Sequence, residues 1–204
     1  MLERILDFLK NKYFIGLVVL LLVIGIVVSV INFNNKKADE IEFNKLIQIN
    51  DRVLNASQQN LSAEELLDDL DLNFKSFSYE FTANALVAKK AVDEGNIDIA
   101  LDIYLNMHGF ILDETLNSGI ENILRENLLE NIVRIYMEKN DFDAGSNFLN
   151  NNSMDSLHFY ELAGDFYKYF EKNDESMFHY NKALSFDINE AQKNIINLKK
   201  PTKK

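Results

Sequence analysis

Apolar positions divide the chain into two regimes. From Tyr13 to Ile31 the sequence reads YFIGLVVLLLVIGIVVSVI, 19 residues without a charge. As a helix rising about 1.5 Å per residue this run spans about 28 Å, close to the hydrocarbon thickness of a bilayer. Beyond it, apolar residues recur at the three- and four-residue intervals of amphipathic helices. FNNKKADEIEFNKLIQINDRVLNASQQN places Ile41, Leu46, Ile47, Ile49 and Val53 at helical spacing. It is expected to extend the apolar run as one long helix or a barely broken pair, and the polar Ala56–Asn60 to form a loop.

Start and stop signals punctuate the remainder. Ser62-x-x-Glu65 is a capping box opening the short helix SAEELLDDL. A longer helix is expected over Ser78 to Glu94, stopped by Gly95 and Asn96, with IDIALDIYLNM following at once. After a polar stretch holding Asp113 and Asn117, Ser118-x-x-Glu121 marks a second capping box before GIENILRENLLENIVRIYMEK. Asn140 and Asp141 turn into FDAGSNFLN, Asp155 caps SLHFYELAGDFYKYFEK, and Asn173 and Asp174 turn into ESMFHYNKALSF. INEAQKNIINLKK closes the series before Pro201 and a basic tail.

Helix, short turn, helix, three times over, is the signature of repeated αα-hairpins. Small residues let the two helices of a hairpin approach, and aromatic residues fill the space between hairpins. The third hairpin carries this pattern best, through Tyr160, Ala163, Gly164 and Tyr167, then Ser176, Tyr180 and Ala183. The first offers Val87, Ala88 and Ala91, then Ala100 and Tyr104; the second offers Ile132, Val133 and Tyr136, then Gly145 and Leu149. The equivalent positions Ala88, Val133 and Gly164 lie 45 and 31 residues apart, against about 34 in a regular tetratricopeptide array. An insertion near Phe110–Asn117 accounts for the excess. The expected fold is all-α: a single transmembrane helix, then a tetratricopeptide-like right-handed array of αα-hairpins. A plain helical bundle is the alternative. The expected divisions are a cytoplasmic N-terminus at 1–12, an anchor at 13–33, membrane-proximal helices at 34–75, the repeat domain at 76–198 and a basic tail at 199–204.

Composition agrees with this picture. Seven glycines and one proline are too few for the turns of an all-β fold. Hydrophobic residues at 47% and charged residues at 26% suit a packed core rather than a disordered chain. Net charge is −11, and with the first 33 residues at +1 the remainder carries −12. Such a domain repels nucleic acid and anionic headgroups. The absence of cysteine excludes disulfides and thiolate chemistry.

The apolar run is longer than the roughly 7–15 residues of a cleaved signal peptide and lacks a small-x-small end, so it reads as an uncleaved anchor. Gly25 and Ser29 form a small-xxx-small pair that suits helix packing within a membrane or a lipid-facing surface. Arg4, Lys10 and Lys12 on one flank nearly balance Lys36, Lys37 and Lys45 on the other. The N-terminal amine tips the balance towards a cytoplasmic N-terminus and an exported C-terminal domain.

No catalytic constellation emerges. His108, His158 and His179 are unrelated in spacing, with no HExxH, no phosphate-binding glycine loop and no Ser-His-Asp arrangement. Asp69, Asp71, Asn73 and Glu80 imitate calcium-loop spacing, but Phe74 stands where the loop needs glycine. Asn55, Asn60 and Asn151 head N-glycosylation sequons that an asparagine-rich chain produces by chance. Expected catalytic residues, metal ligands, cofactors and small-molecule substrates are therefore none. What remains is a surface. The inner faces of the first helices would present Lys89, Asp93, Glu130, Arg134, Met137, His158, Glu161, Asp165 and Tyr169. That mixture of charge and aromatic area suits an extended polypeptide.

The anchor Tyr13–Ile31 with ALVAKKAVDEGNIDIALDIY, NIVRIYMEKNDFDAGSNFL and LAGDFYKYFEKNDESMFHYNKAL resembles the YfgM family of bacteria along the whole chain. The insertion near Phe110 and the degenerate second repeat depart from that pattern. The resemblance implies a single-pass inner-membrane protein with a periplasmic tetratricopeptide-like domain. It implies an ancillary subunit of the SecYEG translocon, associated with the periplasmic chaperone PpiD and without catalytic residues. The alternative is a scaffold for another envelope assembly, in cell-wall synthesis or the outer-membrane machinery.

Overall fold

The structure, a computed structural model, describes residues 35–56, 61–113 and 117–202. The expected N-terminus at 1–12 and anchor at 13–33 lie outside the described residues. Among the described residues no helix is long and apolar enough to cross a membrane, and all regular structure is helical. A helix over 35–56 (α1) is followed by α2 (Ala63–Asp69), α3 (Phe77–Asp93), α4 (Ile97–Asp113), α5 (Ser118–Glu138), α6 (Phe142–Asn151), α7 (Leu157–Tyr169), α8 (Asn173–Ala183) and α9 (Glu190–Lys199).

One turn geometry closes each of three hairpins. Gly95, Asn140 and Glu171 have φ of +76°, +54° and +57°. Each ends a helix with the paired bonds of a Schellman motif. The N–H of Gly95 donates to Val92 and that of Asn96 to Ala91; Asn140 and Asp141 donate to Met137 and Tyr136; Glu171 and Lys172 donate to Lys168 and Tyr167. The residue after each left-handed position then opens the next helix, most fully at Asp141, whose side chain accepts from the Ala144 N–H. The three turns are 45 and 31 residues apart. The long first interval comes from helix length: α4 continues through Phe110 to Asp113, and α5 runs 21 residues. Part of the expected insertion is therefore helix. At the facing ends of α4 and α5, Phe110, Leu112, Ile120 and Ile123 are exposed.

Several expected boundaries move by a residue or two. The Ser62–Glu65 capping box forms in both directions. The second expected box does not. Asn117, with extended backbone, caps α5 by accepting from the Gly119 N–H, and Ser118 is already helical. Ser156, not Asp155, caps α7 through the Phe159 N–H. Asn173 and Asp174 belong to the first turn of α8, because the turn itself is made two residues earlier by Glu171.

By contacts the described residues form two compact units, one with 35–52 and 73–83 and one with 53–56, 61–72, 84–113 and 117–202. In the described part of the first, Glu42 accepts from the N–H groups of Lys75 and Ser76, the two residues that precede α3. Tyr79 donates to Asp39 at 3.0 Å, and Lys45 lies over the Phe74 ring. The second unit holds the hairpin array from Asn84 onward. There α5 packs on α4, α6 and α7, and α8 on α7 and α9. Its largest core joins Leu129, Val133, Leu149, Phe159, Leu162, Ala163, Phe166 and Tyr167. Two glycines permit close approach. A Cβ on Gly145 would lie 2.5 Å from the Phe166 ring, and one on Gly164 would lie 2.8 Å from the Tyr180 ring.

Candidate functional site

The small and aromatic residues expected to pack the hairpins lie as follows. Ala88, Ala100, Tyr180 and Ala183 are fully buried, and Tyr104 and Tyr167 nearly so. Gly164 is buried, while Tyr136 and Tyr160 are half-buried. Burial pushes the Tyr104 and Tyr136 hydroxyls above their ordinary pKa. Tyr180 is pushed well up, first by burial and then by its hydrogen bond to the Asp165 carboxylate. Beneath it Ser176 donates to the Gly164 carbonyl at 2.9 Å, so this contact between α7 and α8 buries no unsatisfied hydroxyl.

Residues expected on the inner faces fall into three groups. Lys89 and Asp93 pair with each other on the exposed side of α3, at 2.6 Å. Glu130 receives Arg134 at 2.6 Å from one turn along α5, and His158 Nε2 of α7 lies 3.2 Å from its second oxygen. The ring of His158 thus bridges two successive hairpins through one carboxylate. Met137 does not join them; it is half-buried against the main core. Tyr169 is 51% exposed, with its ring edge-on to Phe170.

The third group is Glu161 and Asp165, one turn apart on α7. The Lys199 ammonium of α9 lies 3.1 Å from each. Burial works against this ammonium, yet the hydrogen bonds it donates to the two carboxylates outweigh it and hold its pKa above the ordinary value. Lys168, a further turn along α7, donates to the Lys199 backbone carbonyl. The sequence placed Lys199 at the end of the last helix, where the basic tail begins, and gave Lys168 no role. Charge alone carries no signal of pairing when the partners are 31 to 38 residues apart.

Two histidines stand apart. His108 is 7% exposed with its ring edge-on to Phe148, and His179 stacks on Tyr167 at 5.2 Å. Burial lowers the pKa of both, and the Arg125 charge adds to the effect at His108. His108 Nε2, Arg125 Nε and His179 Nδ1 are buried without a hydrogen-bond partner. Among the described residues no group of three or more His, Asp or Glu could hold a metal ion.

Residues 8–201 match the tetratricopeptide repeat-like domain. No curated protein and no solved structure matches the chain.

Proposed function

Because the chain belongs to the tetratricopeptide repeat-like domain family, whose hairpin arrays mediate protein–protein interaction, we propose that it is a membrane-anchored, non-enzymatic scaffold of the bacterial envelope. In this reading residues 13–33 cross the inner membrane, the N-terminus is cytoplasmic and the hairpins are periplasmic. The partners are the SecYEG translocon, a PpiD-like chaperone and emerging exported chains, as the resemblance to the YfgM family implies. The observation that carries the interaction role is the row of polar and aromatic side chains on successive first helices. Glu130, Arg134 and His158 link two hairpins, and Tyr169 stands exposed beyond them. A face of this kind offers an extended polypeptide charge-assisted hydrogen bonds and aromatic area.

Photo-crosslinking in cells from Arg134 and Tyr169 tests the reading. Adducts with translocon or chaperone subunits are the expected result. Adducts with cell-wall or outer-membrane machinery would replace that partner, and no protein adduct from either position would remove the groove. A reporter fused after Lys204 tests orientation: activity restricted to the cytoplasm would overturn the periplasmic placement.

A further inference from the structure

The last helix is held by little. Of the ten residues of α9 only Ile196 is buried. Ile195 and Leu198 are 54% and 83% exposed, so two of its three large apolar side chains take no part in the docking. A helix of this length is below the roughly 12–15 residues that persist alone in water. Its capping box at Asn189 and Gln192 and its docking keep it folded.

That docking consists of three contacts. Ile196 packs on Tyr180 and Ala183, with Tyr160, Leu184 and Ile188 around them. The Lys199 ammonium sits between Glu161 and Asp165. Lys168 takes the Lys199 carbonyl, one of the four acceptors that a helix end leaves open. The receiving side is built differently. Tyr180 is fully buried, its hydroxyl fixes Asp165, and its ring closes on Gly164. A rigid receptor therefore holds a loosely docked ligand, and the first helix supplying Glu161, Asp165 and Lys168 is one whose face is read above as protein-binding.

We infer that this end of α7 and α8 is a receptor for a basic amphipathic helix of a partner protein, and that α9 is a tethered occupant which the partner's helix displaces. The partner's helix carries an aliphatic residue in its last turns and a lysine three residues later, as Ile196 and Lys199 do. The two carboxylates take the lysine and Lys168 takes the helix-end carbonyl, so the receptor reads both a charge and a helix terminus. A tether of a few residues sets an effective concentration in the millimolar range. If α9 is docked about 99% of the time, a competing helix binds about a hundredfold more weakly than it would to the open face. The inference rests on the scaffold reading and names the partner chemistry for one part of that surface.

The test uses the full chain in detergent and a labelled peptide of residues 187–204 as probe. The paired substitution Ile196→Asp with Lys199→Glu opens the face, and the peptide is expected to bind this variant at least tenfold more tightly than the parent chain. A peptide carrying Lys199→Glu is expected not to bind. In the parent chain, amides of α9 should exchange with solvent much faster than those of α7 and α8. Equal protection of α9 and α8, equal peptide binding by both chains, or loss of α7 and α8 protection in the variant would each overturn the inference and make α9 a structural cap. Dimers formed by exchange of α9 would overturn it in favour of a second copy. Crosslinking from Arg134 on α5 does not depend on these substitutions, so failure here leaves the scaffold reading standing and its failure is recognised separately.

Discussion

Glu171 has φ +57° in the turn between α7 and α8, where an ordinary side chain costs about 1–2 kcal/mol. Gly95 occupies the equivalent place in the first hairpin and Asn140 in the second; both residue types tolerate that backbone better. Glu171→Gly should stabilise the chain by about 0.5–1 kcal/mol after glycine's own entropy is counted. An unchanged or lower urea midpoint would show that Glu171 is not strained. The opposite outcome is expected where glycine is needed for space. Gly164→Ala would drive a methyl to 2.8 Å from the ring of fully buried Tyr180. With Ser176 and Asp165 fixing its surroundings, Tyr180 has little room to retreat, and a loss of about 1–3 kcal/mol is expected. The same measurement reads it, and a loss under about 0.5 kcal/mol would mean that α7 and α8 can separate freely.

Helix starts are where element-scale reasoning and the structure part. A capping box is recognised by Ser or Thr with Glu or Gln three residues later, and Ser62 obeys it because its backbone is extended and its hydroxyl meets the Glu65 N–H. Ser118 offers the same spacing but is helical, one residue inside, because Asn117 has already taken the role. The local pattern fits both registers, and the register chosen is the one that lets α5 lie against α4, α6 and α7. Asn117→Ala should therefore cost about 1 kcal/mol while Ser118→Ala is nearly neutral. Ser156→Ala and Asp155→Ala should divide in the same way at the start of α7. Urea midpoints of the four variants check this, and equal effects within either pair would return the cap to the residue that spacing alone suggests.

At the scale of the molecule the array is poised against acid. His108 and His179 have folded-state pKa values below the ordinary one, chiefly through burial. Below about pH 6.5 the unfolded chain binds protons that the folded chain resists, so stability is full above that pH and falls as pH drops through it. Protonation would also place a second charge beside Arg125, whose Nε, like His108 Nε2, is buried without a partner. The urea midpoint is expected to fall between pH 7.5 and pH 5.5, and His108→Phe with His179→Phe should shrink that fall. An identical fall in the variant would assign the acid sensitivity to other groups.

The sequence alone determined the helical class and the positions of the three hairpins, because both follow from local chemistry. Apolar spacing, scarce glycine and proline, and residues that stop helices act over a few positions, so the 45- and 31-residue intervals between Ala88, Val133 and Gly164 reappear in the turns at Gly95, Asn140 and Glu171. Only the tertiary structure decided what covers the first-helix faces. From the sequence, Glu161 and Asp165 were expected on a polypeptide-binding inner face and Lys168 had no role; in the structure Lys199, more than thirty residues away, lies between and beside them. Ion pairing between helices has no sequence period; here it depends on where the packing of Ile196 against Tyr180 and Ala183 leaves the end of α9.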